Sequence, residues 1–185
     1  EHQREAAAVL AEAFHAFGNR VAVHGFYSQG RSAVRFVRVK RFADPLDGRA
    51  HARLGALTAG AYTRLGAAIR HGSAVLESDG AGSRRLLIVL SDGFAYDQGY
   101  QGRYGEADAR RALAEARRRG IGCLCLSVGA TTDLVALRRV FGTAAHAAVR
   151  RSDDLGRMIG PLVRDALASA ELQRRRTWRI ERRAA

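Results

Sequence analysis

The side chains with the most chemical promise stand at the ends of apolar runs. Leu86-Leu87-Ile88-Val89-Leu90 is apolar throughout and stops abruptly at Ser91-Asp92-Gly93. Thr63 stands just ahead of a helical stripe formed by Leu65, Ala68, Ile69, Gly72 and Leu76. In open α/β sheets, ligands gather at the carboxyl ends of the strands. A carboxylate from Asp92 and a hydroxyl from Thr63, meeting there with little other charge, would suit a hard divalent cation. Magnesium takes one or two carboxylates, neutral oxygens and several waters. Spacing alone favours plainer roles, with Thr63 as a helix N-cap and Asp92 as a turn former before Gly93.

Other chemistries find less support. Gly60-Ala61-Tyr62-Thr63-Arg64-Leu65-Gly66 lacks the lysine of a phosphate-binding loop, so nucleotide hydrolysis is not expected. The six histidines are scattered without a His-Glu-x-x-His pair. Ser91 lacks the flanking glycines of a nucleophile elbow. His24 and His71 read as structural residues able to change charge near pH ~6.5. Cys123 and Cys125 are the two cysteines. Two apart on a strand, they point to one face and read as buried free thiols in a reducing compartment, with the cytoplasm as the expected location.

These residues must be held by an alternating set of elements. Ala6, Val9, Leu10, Ala13, Phe14 and Phe17 recur at helical spacing. Val21–Tyr27 and Ala33–Phe42 read as a hairpin whose second strand lies at an edge. A short helix follows over His51–Leu57, then the Thr63 helix. Leu86–Leu90 and Ile121–Val128 read as buried strands, joined through a helix carrying Ala109, Ala112, Leu113 and Ala116. That helix stops at Arg117-Arg118-Arg119-Gly120. Asp133–Phe141, Ala145–Val149 and a helix running beyond Leu172 complete the series. The alternation specifies an α/β fold: an open, mostly parallel sheet with helices on both faces.

The 185 residues suit one domain, read here as 1–173 followed by a basic tail at 174–185. Net charge is +13, and Lys40 is the only lysine among 31 basic residues. Arginine is spread through every segment, which points to compositional bias with long stems covering apolar surface. The dense cluster Arg174-Arg175-Arg176, continuing to Arg179, Arg182 and Arg183, could dock on an acidic partner or on phosphates. No zinc-finger or aromatic RNA-binding pattern accompanies it, so nucleic acid is the less favoured partner. No apolar run approaches the roughly 20 residues that span a bilayer.

Leu86-Leu87-Ile88-Val89-Leu90-Ser91-Asp92-Gly93 resembles the fourth strand and third metal motif of von Willebrand factor A domains. Ala61-Tyr62-Thr63-Arg64-Leu65-Gly66-Ala67-Ala68-Ile69-Arg70-His71 is more specific. With His24-Gly25-Phe26-Tyr27-Ser28 and Gly102-Arg103-Tyr104-Gly105, it resembles the NorD/CbbO group, A-domain proteins associated with nitric oxide reductase and Rubisco activation. The resemblance implies a doubly wound, Rossmann-like sheet. It also implies a metal-ion-dependent adhesion site in which Thr63 and Asp92 hold Mg²⁺ or Mn²⁺, and it places Asp97 at an acidic position in the next loop.

The family's first motif, Asp-x-Ser-x-Ser, is not in this sequence. The first central strand is therefore expected to be missing, which leaves a slot between the Val21–Tyr27 and Leu86–Leu90 strands. Metal binding by these residues alone is expected to be weak or absent. The implied function is a non-catalytic adaptor. Its expected partners are a MoxR-type AAA+ ATPase and a client metalloenzyme, nitric oxide reductase foremost. Two alternatives stay open: a stand-alone, metal-dependent protein-binding A domain and, behind it, an Arg-rich nucleic-acid binder.

Overall fold

The computed structural model of the chain describes residues 1–58, 60, 62–79, 84–91, 97–129, 134–151 and 154–184. Its centre is β4 (Ile121–Val128), in which every residue is buried. Alternate side chains enter two cores. Cys123 and Cys125 pack with Ile69 of α3 (Leu65–Asp79) and with Leu113 and Ala116 of α4 (Arg103–Arg118). Leu137 of α5 (Leu134–Phe141) joins the same core. Leu124, Leu126 and Val128 instead meet Ala6 and Leu10 of α1 (His2–Ala16) and Leu155 and Ala166 of α6 (Leu155–Ala184). Covering both faces with helices is why this strand is apolar apart from the buried Ser127.

Both cysteines are free and buried on one face, as their spacing requires. Burial raises the Cys123 thiol to about 12 and Cys125 well above its ordinary value, so neither is a ready nucleophile.

β4 pairs in parallel with β3 (Arg85–Ser91) and β5 (Ala145–Val149), giving the order β3-β4-β5. β1 (Val23–Ser28) and β2 (Val34–Lys40) form a separate antiparallel hairpin with β2 outermost. No ladder joins β1 to β3 among the described residues. Between them lies a cavity of about 750 Å³, lined by Ala22, His24 and Phe26 on one side and Leu86, Ile88 and Leu90 on the other.

A slot thus lies between β1 and β3 among the described residues, and it corrects the burial expected of Leu86–Leu90. Only Val89 and Ser91 of β3 are buried, while Leu86, Leu87, Ile88 and Leu90 are half-exposed. The apolar sequence of β3 is that of a central strand, but here it borders a void.

Two further differences have local causes. The short helix α2 runs over Gly48–Gly55, earlier than His51–Leu57, because the Asp47 carboxylate caps it by accepting a hydrogen bond from Ala50 N at 2.9 Å. Lys40, the sole lysine, is buried at 3% exposure and donates from Nζ to the Val21 and Arg41 carbonyls. Burial lowers its pKa, and nearby Asp44 opposes that shift. At the other end of the chain, α6 continues as one helix through the position where the sequence suggests a tail. Arg174, Arg175 and Arg176 are exposed on it.

Candidate functional site

Ser28 ends β1 and is completely buried. Its backbone N–H donates to the Tyr62 carbonyl at 2.8 Å, and its Oγ accepts from the Arg64 N–H at 3.0 Å. Thr63 therefore lies between two residues that are both tied to the end of a strand. It is half-buried at the entrance to α3. The Arg64 carbonyl accepts the first helical bonds, from Ala67 and Ala68. The cap position thus falls on Arg64, and capping does not explain a threonine at 63. Asp92 directly follows β3 and lies outside the described residues.

Asp97 is described, and its role differs from that of a metal ligand. Its side chain is fully buried. Oδ1 accepts from Gly30 N at 2.8 Å and Gln98 N at 2.7 Å, while Oδ2 accepts from Arg64 Nε at 3.1 Å. Burial pushes its pKa up, but hydrogen bonds from Gly30, Ser28, Gln98 and Arg64 outweigh this and hold it below the usual carboxylate range. Arg64 also donates to the Gln98 carbonyl at 2.9 Å, and its guanidinium stands 4.7 Å above the Tyr100 ring. Both Asp97 oxygens are committed to this clamp.

A second tier supports the first. Tyr100 is 1% exposed. Its hydroxyl donates to Asp108 and accepts from Gly66 N at 3.0 Å. Burial and then the Asp108 acceptor raise the Tyr100 pKa. Arg70 binds Asp108 and Glu115, each at 2.8 Å, which fixes α3 against α4. Burial works to raise the Asp108 pKa, but Arg70 and Tyr100 hold it low. A Cβ on Gly66 would collide with the Asp108 carboxylate and lie 2.9 Å from the Tyr100 hydroxyl, so the helix entrance requires glycine.

The structure therefore brings Thr63, Arg64, Ser28, Asp97 and Tyr100 to one rim, with Thr63 presented on a rigid support. The sequence reading identified Thr63 but not the Arg64–Asp97–Ser28 clamp. Buried polar residues in loops carry no periodic signature, and the available signal was only a carboxylate in a polar, tyrosine-bearing loop. No group of three or more His, Cys, Asp or Glu among the described residues could hold a metal.

No protein-family model matches the chain. It is 38% identical over 150 residues to Protein NorD of Brucella suis, covering 80% of this chain and 23% of that protein. It is 38% identical over 121 residues to Protein NorD of Stutzerimonas stutzeri, covering 65% and 20% respectively. An uncharacterized protein of Pseudomonas aeruginosa is 39% identical over 148 residues, which is 80% of this chain and 24% of that one. The chain thus spans about a quarter of the length of the relatives it matches.

Among solved structures, the pilus adhesin SpaC of Lactobacillus rhamnosus GG superposes with a TM-score of 0.60 at 15% identity. The superposition covers 89% of this chain and 27% of the adhesin, and it shows a likeness of fold. Over four-fifths of its length, then, this α/β chain is related to the proteins named NorD.

Proposed function

We propose that the chain is part of a non-catalytic von Willebrand factor A adaptor. In this reading it works with a MoxR-type AAA+ ATPase to activate or mature nitric oxide reductase on the cytoplasmic side. The observation that carries the reading is the 38% identity to Protein NorD over 80% of the chain. The α/β fold, with helices on both faces of a parallel sheet, is compatible with a doubly wound A domain completed by one more strand in the slot.

Docking in this reading runs through a metal-ion-dependent adhesion site at the rim, with Thr63 and Asp92 as this chain's ligands. The donor chemistry fits a hard cation: one hydroxyl and one carboxylate, both oxygen, suit Mg²⁺ or Mn²⁺ and suit zinc poorly. Asp97 does not add to the set, because Arg64 and two backbone N–H groups already occupy its oxygens. Two ligands are too few for firm binding, so in this reading oxygens from elsewhere in the protein complete the shell. When bound, the cation would supply an open coordination position for an acidic side chain of the client. This chain's own contribution is to hold the Thr63 hydroxyl in place through Ser28, Tyr62 and Arg64.

The test is co-expression of the longer protein with the reductase and the ATPase. Thr63→Ala and Asp92→Ala should each abolish maturation of the reductase at unchanged protein levels. Full maturation with either variant would refute the adhesion-site mechanism.

A further inference from the structure

The end of the sheet opposite the rim gathers arginine from three segments. Arg84 and Arg85 open β3, and Arg85 pairs in register with Ile121 at the start of β4. Arg117, Arg118 and Arg119 close α4 just before that strand. Arg174, Arg175 and Arg176 arrive on α6, where a Cβ on Gly120 would lie 3.2 Å from Arg174 Cδ. The three segments therefore meet around the first residues of β3 and β4. Apolar surface lies beside the charge. Leu172, two residues before Arg174, is 60% exposed, and Phe17, which closes α1, is 84% exposed. Gly18, Asn19 and Arg20 follow Phe17 and line the slot together with Arg84 and Arg85, which places Phe17 at this end too.

Three acids answer these eight arginines. Glu77 pairs with Arg119 at 3.0 Å, and Glu171 takes Arg174 at 2.8 Å and Arg175 at 3.0 Å. Asp79, at the end of α3, also borders His24 and His71 behind the hairpin. Glu115, one turn back on α4, is taken by Arg70 and Arg111. The carboxyl end of α4 offsets about half a charge more. Arg84, Arg118 and Arg176 are exposed and have no ion pair among the described residues. The buried Nε atoms of Arg85 and Arg117 have no hydrogen-bond partner there either. Positive charge is left over, and an exposed aromatic ring stands near it. Arginine and aromatic side chains are the residues enriched where proteins meet.

We propose that this end of the domain docks an acidic helix of a partner protein, its carboxylates between the arginines of α6 and α4 and its apolar side against Leu172 and Phe17. α6 itself shows the recognition, because arginines three and four residues beyond Glu171 grip that one carboxylate. The same spacings recur further along, where Arg179 stands three or four residues from Arg175, Arg176, Arg182 and Arg183 and from no acid. On a helix such positions are neighbours about 5–6 Å apart, and like charges there are destabilising until an anion arrives. α6 runs about 45 Å against about 26 Å for β4, so its last turns extend past the sheet. Carboxylates one turn apart on a partner helix repeat at the arginine spacing, whereas the phosphates of a duplex strand advance only about 3.4 Å each. The surface is separate from the rim, so both can be occupied at once.

The experiment is a fluorescence-anisotropy titration of the intact chain with a labelled helical peptide of glutamates carrying one leucine per turn. Duplex DNA and phosphatidylglycerol vesicles are the competing anions. The peptide should bind saturably and more tightly than either. Arg118→Glu with Arg176→Glu should weaken it at least about tenfold. Arg31→Glu with Arg103→Glu makes the same change in net charge at exposed positions of the rim end, and should leave binding within about twofold. Phe17→Ser with Leu172→Ser should also weaken it. All six side chains are exposed, so the melting temperatures should hold; ending the chain after Gln173 is the further variant, and it too should weaken the peptide. No binding of the peptide, tighter binding of DNA or vesicles, undiminished binding by the arginine or the apolar variants, or an equal loss on changing Arg31 and Arg103 would each overturn the proposal.

Discussion

Arg64 Nε reaches the fully buried Asp97 carboxylate at 3.1 Å, across 33 residues of sequence. This pairing joins the residue after Thr63 to the loop that follows β3. Both segments that bear candidate ligands are thereby anchored to each other and to Ser28 at the end of β1.

Removing one partner of such a pair should be costly, because the buried carboxylate keeps the hydrogen bonds from Gly30, Gln98 and Ser28 but loses the guanidinium charge beside it. Arg64→Ala is expected to lower unfolding free energy by about 3–5 kcal/mol. Urea denaturation checks this, and a loss under about 1 kcal/mol, typical of an exposed pair, would show that water reaches Asp97. The pH dependence follows from the same group. Asp97 titrates below its unfolded value of 3.8. Its stabilisation is thus full above that value and is lost as pH falls through the lower, folded one. Asp97→Asn should flatten this acid limb.

The parts legible in the sequence were those with periodicity. β4 and the helices on either side of it could be read because a strand covered on both faces is apolar throughout and amphipathic helices repeat every 3.6 residues. α2 starts three residues earlier than the expected His51 because Asp47 caps it. Nothing in the sequence around Lys40 signals its burial, yet two backbone carbonyls hold its ammonium inside. Thr63 was legible through its place before a helical stripe. Asp97 was legible only as an acidic position in the loop after β3, and the clamp that joins it to Arg64, Tyr100 and Asp108 was not, since these contacts are made between segments distant in sequence and follow no spacing rule.

The slot between β1 and β3 makes its own prediction. Among the described residues no ladder forms on the β3 edge away from β4, where Leu86, Ile88 and Leu90 are half-buried, an arrangement that invites pairing with another chain. Residues 1–185 alone should self-associate in light scattering, and the β3 amides not bonded to β4 should exchange rapidly. In a longer polypeptide that supplies an apolar strand, the same amides should be protected and the protein monodisperse. A monodisperse, cooperatively melting 1–185 with slow exchange along all of β3 would contradict the open slot.

The arginine-rich end of α6 should matter little for stability. Arg174 and Arg175 pair with Glu171 on the helix surface, and all three arginines at 174–176 are exposed. Ending the chain after Gln173 loses these screened pairs and the contact of the Arg174 stem with Gly120. The melting temperature should move by less than about 3 °C. A much larger drop would show that the last turns of α6 pack on the domain.

The metal reading makes the most demanding prediction. In a longer protein that carries those further oxygens, Mg²⁺ or Mn²⁺ should bind with Thr63 giving a neutral oxygen and Asp92 a charged one. Asp92→Ala removes the charge that offsets the cation, so it should weaken binding more than Thr63→Ala. Arg64→Ala tests the support: if the clamp positions Thr63, this variant should also weaken the metal, even when studied at temperatures where it remains folded. Residues 1–185 alone should bind far more weakly than the longer protein. Calorimetric titration of each form with Mn²⁺ gives the ranking. Tight binding that survives Asp92→Ala unchanged would place the cation elsewhere, and tight binding that survives Arg64→Ala would reduce the clamp to a purely structural role.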